Sequence, residues 1–150
     1  MSAVEQHVDI LLVEDNPDDA ELAIRSMRKS GHAPRLVHVD DGVRALDFLF
    51  GTGEFAGRDS KIQPRVVLLD LKLPRLDGLE VLKRLRGDER TRTVPVVILS
   101  SSKEERDVAE CYRHAANSYV VKPVNFDAYS ATVVEVCRYW MGINLSPARP

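Results

Sequence analysis

The sequence predicts an α/β fold in which five parallel strands alternate with five helices. Three short runs, residues 10–13, 66–69 and 94–99, are almost wholly apolar and rich in valine, leucine and isoleucine. Such runs are typical of strands buried on both faces. Each is followed by a segment with helical spacing of its apolar residues. This alternation favours a parallel sheet with right-handed crossovers and helices on both faces.

Length and composition favour one soluble domain with a sizeable hydrophobic core. The chain has 150 residues, a formal net charge of −2, and is 44% hydrophobic and 29% charged. We expect the core to cover about residues 8–141, with a flexible N-terminus and a flexible C-terminal tail. No basic block suggests nucleic-acid binding, and no apolar run has the length of a membrane span or the form of a signal peptide. Cys111 and Cys137 lack metal-ligand spacing, so we predict reduced thiols and a cytoplasmic location.

The first half of the chain contains two strands and two helices. The strand at 10–13 leads into a helix with Asn16 as N-cap and Pro17 at its first position, ending near Gly31. The run at 35–39 alternates only partly, which suits an edge strand, and is followed by a helix that reaches Phe50. Residues 51–65 are predicted to be a loop, with Phe55 packing back onto the surface.

The second half begins with the central strand, which ends on Asp70 and runs into a turn with Pro74 and the pair Asp77-Gly78. A third helix follows. The fourth strand, at 94–99, leads to a helix over 103–116. A last strand at 119–121 precedes a helix from 125 to about 141. Tyr139 and Trp140 are adjacent on that helix, so they cannot both face fully inward.

Charged and hydroxyl side chains follow four of the predicted strands. Glu14 and Asp15 follow the first strand, Asp70 the third, Ser100 the fourth and Lys122 the fifth. In a parallel sheet these strand ends share one edge, which is the usual ligand-binding edge of an open α/β sheet. We therefore expect three carboxylates, a hydroxyl and an ammonium to converge there.

This set of side chains suits metal-dependent phosphoryl chemistry. Three clustered carboxylates repel one another unless a cation lies among them, and Mg²⁺ prefers such oxygen ligands while keeping several waters. Lys122 can bind a phosphoryl group and Ser100 can donate a hydrogen bond to it. Asp70 is the best-placed nucleophile, because a carboxylate can carry a phosphoryl group as an acyl phosphate.

Four motifs, in order and at matching spacing, resemble the receiver domain of two-component response regulators along nearly the whole chain. They are Leu12-Val13-Glu14-Asp15-Asn16, Leu69-Asp70-Leu71-Lys72-Leu73-Pro74 through Asp77-Gly78, Val96-Val97-Ile98-Leu99-Ser100, and Tyr119-Val120-Val121-Lys122-Pro123. The resemblance implies the flavodoxin-like strand order 2-1-3-4-5. It also implies a phosphoacceptor signalling domain rather than an enzyme, one that catalyses only its own phosphorylation and dephosphorylation.

The resemblance assigns a role to each residue of the site. It implies that a histidine kinase phosphorylates Asp70, and that Lys122 and Ser100 bind the phosphoryl group. Ser100 is the expected switch hydroxyl and Tyr119 the expected rotating aromatic. The Lys122–Pro123 peptide bond is expected to be cis. The implied Mg²⁺ ligands, with Mn²⁺ or Ca²⁺ as substitutes, are Glu14, Asp15, Asp70 and the backbone carbonyl of Lys72.

A finer resemblance links the chain to the small response regulators paired with phytochromes. It rests on the segment 14–19, the helix with Ala45-Leu46-Asp47-Phe48-Leu49 and its long loop, Asn117-Ser118-Tyr119, and the Tyr139-Trp140 ending. A phytochrome kinase is therefore the expected partner. Lys72 departs from the family pattern. In the family, its position faces the attacking water.

Several functions compete with a stand-alone phosphorylation switch. A degenerate receiver acting as a phosphorylation-independent scaffold remains open. A flavodoxin and an aspartate-nucleophile phosphatase are disfavoured by Glu14-Asp15 and by Lys72 respectively. One helix and a short tail follow Pro123, so we expect neither a DNA-binding domain nor a membrane anchor. We expect a homodimer through the fourth helix, fifth strand and fifth helix, aided by the tail. The four histidines show no ligand spacing and are expected to be incidental.

Overall fold

The computed structural model describes residues 7–147 of the chain. The start of the predicted flexible N-terminus and the last three residues of the predicted tail lie outside the described residues. The strands are β1 (Ile10–Val13), β2 (Leu36–Val39), β3 (Val66–Leu69), β4 (Val96–Ser100) and β5 (Ser118–Val121). The helices are α1 (Pro17–Lys29), α2 (Gly42–Phe50), α3 (Gly78–Arg86), α4 (Glu105–Arg113) and α5 (Phe126–Arg138), with a short 3-10 helix at Gly53–Phe55 and a π-helical turn at Tyr139–Ile143.

The five strands form one parallel sheet in the order β2-β1-β3-β4-β5, as predicted. The three central strands are buried throughout, whereas β2 and β5 at the edges are mostly half-buried. The register aligns Val13 with Leu69 and Leu69 with Ile98. These strands therefore end at the same level, and the residues that follow them meet at one edge.

Alternating strand residues supply two separate cores. Leu11, Val67 and Ile98 face one side of the sheet, which α2, α3 and α4 cover. Ile10 and Leu12 face the other side, against α1 and α5. Burial of these side chains, each worth about 1.5–3 kcal/mol, is what holds the helices to the sheet.

The predicted N-cap and first residue of α1 are confirmed. The Asn16 side chain accepts hydrogen bonds from the backbone N–H groups of Asp18 and Asp19, at 2.9 and 3.1 Å. Pro17 occupies the first helical position, where no N–H partner is needed. This cap fixes where the chain turns after β1.

The loop after α2 is held to the helix by aromatic and cationic contacts. Phe55 packs edge-to-face on Phe48 with ring centroids 5.2 Å apart, which confirms that Phe55 folds back. The Arg58 guanidinium lies 3.7 Å from the centre of the Phe48 ring and donates to the Ile62 carbonyl at 2.8 Å. These contacts pack the long loop against α2.

Three helix ends differ from the prediction. The fourth helix begins at Glu105 rather than 103 and ends at Arg113 rather than 116. It stops early because Ala115 adopts a left-handed conformation, with φ of 66°. The last α-helix ends at Arg138 and continues as the π-helical turn, in which the Asn144 N–H donates to the Tyr139 carbonyl at 2.7 Å.

The chain around the start of the tail is contacted by Arg65. The guanidinium of Arg65 donates to the Met141 carbonyl at 3.0 Å and to the Ser146 hydroxyl at 3.3 Å. Trp140 is buried and Tyr139 is 46% exposed, so only one of the two aromatic residues faces inward, as expected. Within the tail Arg65 thus contacts Ser146, and the flexibility of the tail stays a prediction.

Gly78 is required by a close approach between α3 and the end of β3. Its N–H donates to the Leu71 carbonyl at 2.8 Å, and a Cβ at this position would lie 2.0 Å from the Asp70 carbonyl oxygen. The backbone that carries Asp70 therefore packs directly on the first residue of α3.

We expect Gly78→Ala to lower the free energy of unfolding by about 1–3 kcal/mol, because the added methyl group forces the two backbone segments apart. Urea unfolding followed by circular dichroism measures the change. Gly57→Ala is the matched control, since Gly57 is exposed and a Cβ added there would meet no atom within 4 Å. Equal stability of both variants would show that the close approach imposes no constraint.

Candidate functional site

The carboxyl edge of the sheet brings together most of the residues that the sequence singled out. Glu14 and Asp15 follow β1, Asp70 follows β3, and one oxygen from each carboxylate lies within 4.8 Å of the others. Glu14 and Asp70 are buried, whereas Asp15 is exposed. Three carboxylates thus form a cluster that is open to solvent on one side.

Lys122 supplies the positive charge of this cluster. Its ammonium donates to Asp70 Oδ2 at 2.9 Å, to Asp19 Oδ2 at 3.3 Å and to Glu14 Oε1. The Lys122 side chain is only 10% exposed. Its backbone N–H donates to the Ser100 carbonyl at 2.8 Å, which fixes the end of β5 beside the end of β4.

Burial and hydrogen bonding act in opposite directions on the buried pair. Desolvation raises the pKa of Glu14 to about 7, although hydrogen bonds from Lys122 and from the Asn16 N–H oppose the rise. For Lys122, burial alone lowers the pKa, but the hydrogen bonds to Glu14 and Asp70 outweigh it and hold the pKa above its ordinary value. Lys122 is therefore a cation throughout the physiological pH range.

The donor set fits a hard divalent cation. Three carboxylates offer oxygen ligands, and the exposed side at Asp15 leaves room for the waters that Mg²⁺ retains. Mn²⁺ and Ca²⁺ take ligands of the same type. The N–H of Lys72 lies 3.4 Å from Asp70 Oδ1, so the backbone at Lys72 runs beside the carboxylate. That the Lys72 carbonyl binds the metal stays a prediction.

The loop after β4 connects Ser100 with Tyr119 through Ser102. The Ser102 N–H donates to Ser100 Oγ at 3.2 Å, and its carbonyl accepts from the Tyr119 hydroxyl at 2.9 Å. The Ser102 hydroxyl donates to Asp107 of α4 at 2.5 Å. Burial raises the pKa of Tyr119, so its hydroxyl stays protonated and able to donate. The two predicted switch residues are thus linked to α4 by one serine.

The prediction of a cis Lys122–Pro123 bond is wrong. Among the described residues every peptide bond is trans. A trans bond before proline is favoured by about 0.5–1 kcal/mol in the absence of other constraints. Here Lys122 reaches Glu14 and Asp70 from a trans peptide, so the hydrogen bonds of the site do not select the cis isomer.

Three site residues were missed in the sequence. Asp19 belongs to the first turn of α1, where an acidic residue is ordinary, but it also pairs with Lys122. His38, expected to be incidental, places Nε2 at 2.8 Å from the Glu14 carbonyl. Ser102 gave no signal beyond its place in a run of three serines. Each of these three residues contacts a residue of another structural element, and that contact gives it its place in the site.

A model of the response regulator receiver domain matches residues 10–133. The chain belongs to this family. Its motifs, fold and strand order agree with that assignment. A receiver domain is a signalling domain whose partner is a histidine kinase. Among the described residues, no helix is long and apolar enough to cross a membrane.

Curated relatives match over nearly the whole chain. A probable methanogenesis regulatory protein, FilR2, from Methanothrix harundinacea is 44% identical over 138 residues, which are 92% of this chain and 86% of the relative. The response regulator Rcp1 of Synechocystis is 33% identical over 139 residues, covering 93% of this chain and 92% of Rcp1.

Solved structures match at the level of the whole fold. The phosphorylated cyanobacterial phytochrome response regulator RcpA is 34% identical with a TM-score of 0.88, covering 95% of this chain and 99% of RcpA. The Mn²⁺-bound form of Rcp1 is 33% identical with a TM-score of 0.87, covering 94% of this chain and 99% of Rcp1. The chain is thus similar to response regulators whose structures hold a divalent metal or a phosphoryl group.

We expect Lys122→Met to destabilise the protein in the absence of metal by about 3 kcal/mol, because it leaves buried carboxylates without their cation. Adding Mg²⁺ is expected to restore part of that loss. Urea unfolding with chelator and with Mg²⁺ measures both effects.

Lys83→Met is the control for this experiment, since Lys83 is exposed on α3. An identical loss for the two variants, or a loss for Lys122→Met that Mg²⁺ does not reduce, would contradict a charge-balancing role for Lys122.

Proposed function

We propose that the protein is a stand-alone response regulator that accepts a phosphoryl group on Asp70 in a Mg²⁺-dependent reaction. The observation that carries the proposal is the position of Asp70, which follows β3, lies beside the Glu14–Asp15 pair and accepts a hydrogen bond from the Lys122 ammonium. The near-complete coverage of RcpA and Rcp1 supports the stand-alone assignment.

The reaction forms an acyl phosphate. A carboxylate oxygen of Asp70 forms the new P–O bond as the P–N bond to the kinase histidine breaks. Glu14, Asp15, Asp70 and the Lys72 carbonyl would hold a Mg²⁺ ion, which would supply positive charge to neutralise the phosphoryl oxygens. Lys122, already hydrogen-bonded to Asp70, is placed to donate to a phosphoryl oxygen. The same geometry supports hydrolysis by water, and Lys72, at the position that faces the attacking water in the family, is exposed.

The switch begins at Ser100. Phosphorylation raises the negative charge at Asp70 and adds acceptor oxygens. The Ser100 hydroxyl turns toward them, and its contact with the Ser102 N–H changes as it moves. Since Ser102 also binds Tyr119 and Asp107, the movement alters Tyr119 and the start of α4. The face formed by α4, β5 and α5 then changes its affinity for partners.

The proposed kinase is a phytochrome. RcpA is described as a phytochrome response regulator, and this chain matches it over nearly its full length. Val124 and Phe126 follow Lys122 and are highly exposed, which gives a kinase an apolar surface next to Asp70. We place the protein in the cytoplasm, without DNA or membrane partners. The free, buried thiols of Cys111 and Cys137 support a reducing compartment.

We expect one phosphoryl group to be added during incubation with acetyl phosphate, and only when Mg²⁺ and Asp70 are both present. Intact mass spectrometry of the wild type, Asp70→Asn and the control Asp127→Asn, at an exposed position on α5, measures the adduct.

A folded wild-type protein that neither forms this adduct nor binds the phosphoryl analogue beryllofluoride would instead support the scaffold function. The complete set of Asp15, Asp70, Ser100 and Lys122 does not favour that alternative.

We further propose a homodimer through α4, β5 and α5, extended by the tail. Tyr112 on α4 is 50% exposed, Tyr139 is 46% exposed and Ile143 is 74% exposed. β5 is an edge strand, so its outer backbone groups are free of a further strand. Apolar side chains beside an unpaired sheet edge are suited to an interface between two copies.

We expect beryllofluoride with Mg²⁺ to increase dimer formation, and Ile143→Asp to weaken the dimer by placing a charge in its apolar contact. Sedimentation velocity over a range of concentrations measures both effects. Val124→Asp is the control, because Val124 is exposed on the loop between β5 and α5. A dimer equally stable in wild type and Ile143→Asp would exclude the tail from the interface.

A further inference from the structure

His38 reaches from the edge strand β2 to the end of β1. It is half-buried and lies opposite Leu12 in the strand register. Its Nε2 lies 2.8 Å from the Glu14 carbonyl oxygen. A carbonyl only accepts hydrogen bonds, so Nε2 carries the hydrogen and donates it. The ring therefore holds the backbone of Glu14 rather than its carboxylate.

Two consecutive residues of β2, His38 and Val39, hold both the carbonyl and the N–H group of Glu14. The Glu14 N–H donates to the Val39 carbonyl at 3.1 Å, while the Glu14 carbonyl accepts from His38. Because a peptide unit is planar, fixing the Glu14 carbonyl also fixes the N–H of Asp15. The direction in which the chain leaves β1 toward Asp15 is thus determined at β2.

Asp15 depends on this backbone more than the other two acids do. The carboxylates of Glu14 and Asp70 accept hydrogen bonds from Lys122. The Asp15 side chain is exposed, and no group in residues 7–147 donates a hydrogen bond to its carboxylate or pairs with it. Nevertheless it lies within 4.8 Å of Glu14 and Asp70. Its place in the cluster therefore comes from the peptide that His38 holds.

We propose that His38 is a positioning residue for the divalent cation, acting by holding the Glu14–Asp15 peptide so that the Asp15 carboxylate faces Glu14 and Asp70. The inference rests on the ligand set of the proposed function. Loss of a hydrogen bond that orients a metal ligand typically lowers metal affinity about 10–100-fold.

The test measures Mn²⁺ binding without any phosphoryl donor, from the loss of the electron paramagnetic resonance signal of the free aquo ion. We expect His38→Leu to raise the Kd for Mn²⁺ about tenfold. We expect little further increase when His38→Leu is added to Asp15→Asn, because the carboxylate that His38 positions is then absent. His38→Gln keeps an amide donor and is expected to stay closer to wild type than His38→Leu.

His114→Leu is the matched control, since His114 is half-buried at the end of α4 and contacts Glu110. Its Kd is expected to equal that of the wild type. If leucine at position 38 lowers the urea midpoint, His38→Phe supplies a ring of similar shape without a donor.

The outcomes separate this inference from the proposed function. A wild-type Kd for His38→Leu beside a raised Kd for Asp15→Asn overturns the role of His38 alone. An equal loss in the wild-type and Asp15→Asn backgrounds also overturns it, because His38 then acts through another group. A wild-type Kd for Asp15→Asn removes Asp15 from the ligand set and overturns the role of His38, whereas phosphorylation of Asp70 is decided separately by the adduct with acetyl phosphate.

Discussion

The ammonium of Lys122 is the counter-ion on which the carboxyl edge of the sheet depends. Four elements bring charge to this point: the ends of β1, β3 and β5 and the first turn of α1. Two of the carboxylates are buried, and ionised carboxylates without a cation are costly in such surroundings. In the proposed function, the ammonium that neutralises these carboxylates also binds the phosphoryl group. One side chain therefore contributes both to stability and to the proposed chemistry. A change in the charge at Asp70 changes the electrostatic interactions of Lys122 with Glu14 and Asp19.

Backbone packing holds this charged cluster in a fixed geometry. Gly78 lets α3 start directly against the Asp70 carbonyl, and Gly42 lets α2 start against the Leu76 carbonyl, since a Cβ at either glycine would lie 2.0 Å from that oxygen. Asp41, the cap of α2, also pairs with Arg75 at 3.2 Å. The first residues of α2 and α3 thus pack directly against the turn that follows β3. The loop after β4 is held by hydrogen bonds through Ser102, which suits it to rearrangement.

The fold and the main site residues could be predicted because they follow from local pattern. Apolar runs give the strands, Asn16-Pro17 gives a helix start, and parallel topology brings Glu14, Asp15, Asp70 and Lys122 to one edge. The contacts of His38 and Ser102 could not be predicted, because each depends on residues of other structural elements. His38 meets the Glu14 carbonyl, and Ser102 meets the Tyr119 hydroxyl and the Asp107 carboxylate. The contact of Arg65 with the tail was missed for the same reason. The cis bond at Pro123 came from family resemblance alone, and the physical preference of the bond is the opposite.

The most direct test of the central role of Lys122 is a crystal structure of the protein with Mg²⁺ and beryllofluoride, which mimics a phosphoryl group on Asp70. We expect a cation bound by Glu14, Asp15, Asp70 and the Lys72 carbonyl, with Lys122 Nζ moved from the Glu14 carboxylate to within about 3 Å of a fluoride. A Lys122 ammonium that stays on Glu14 while the fluoride is bound by other groups would contradict the central role of Lys122.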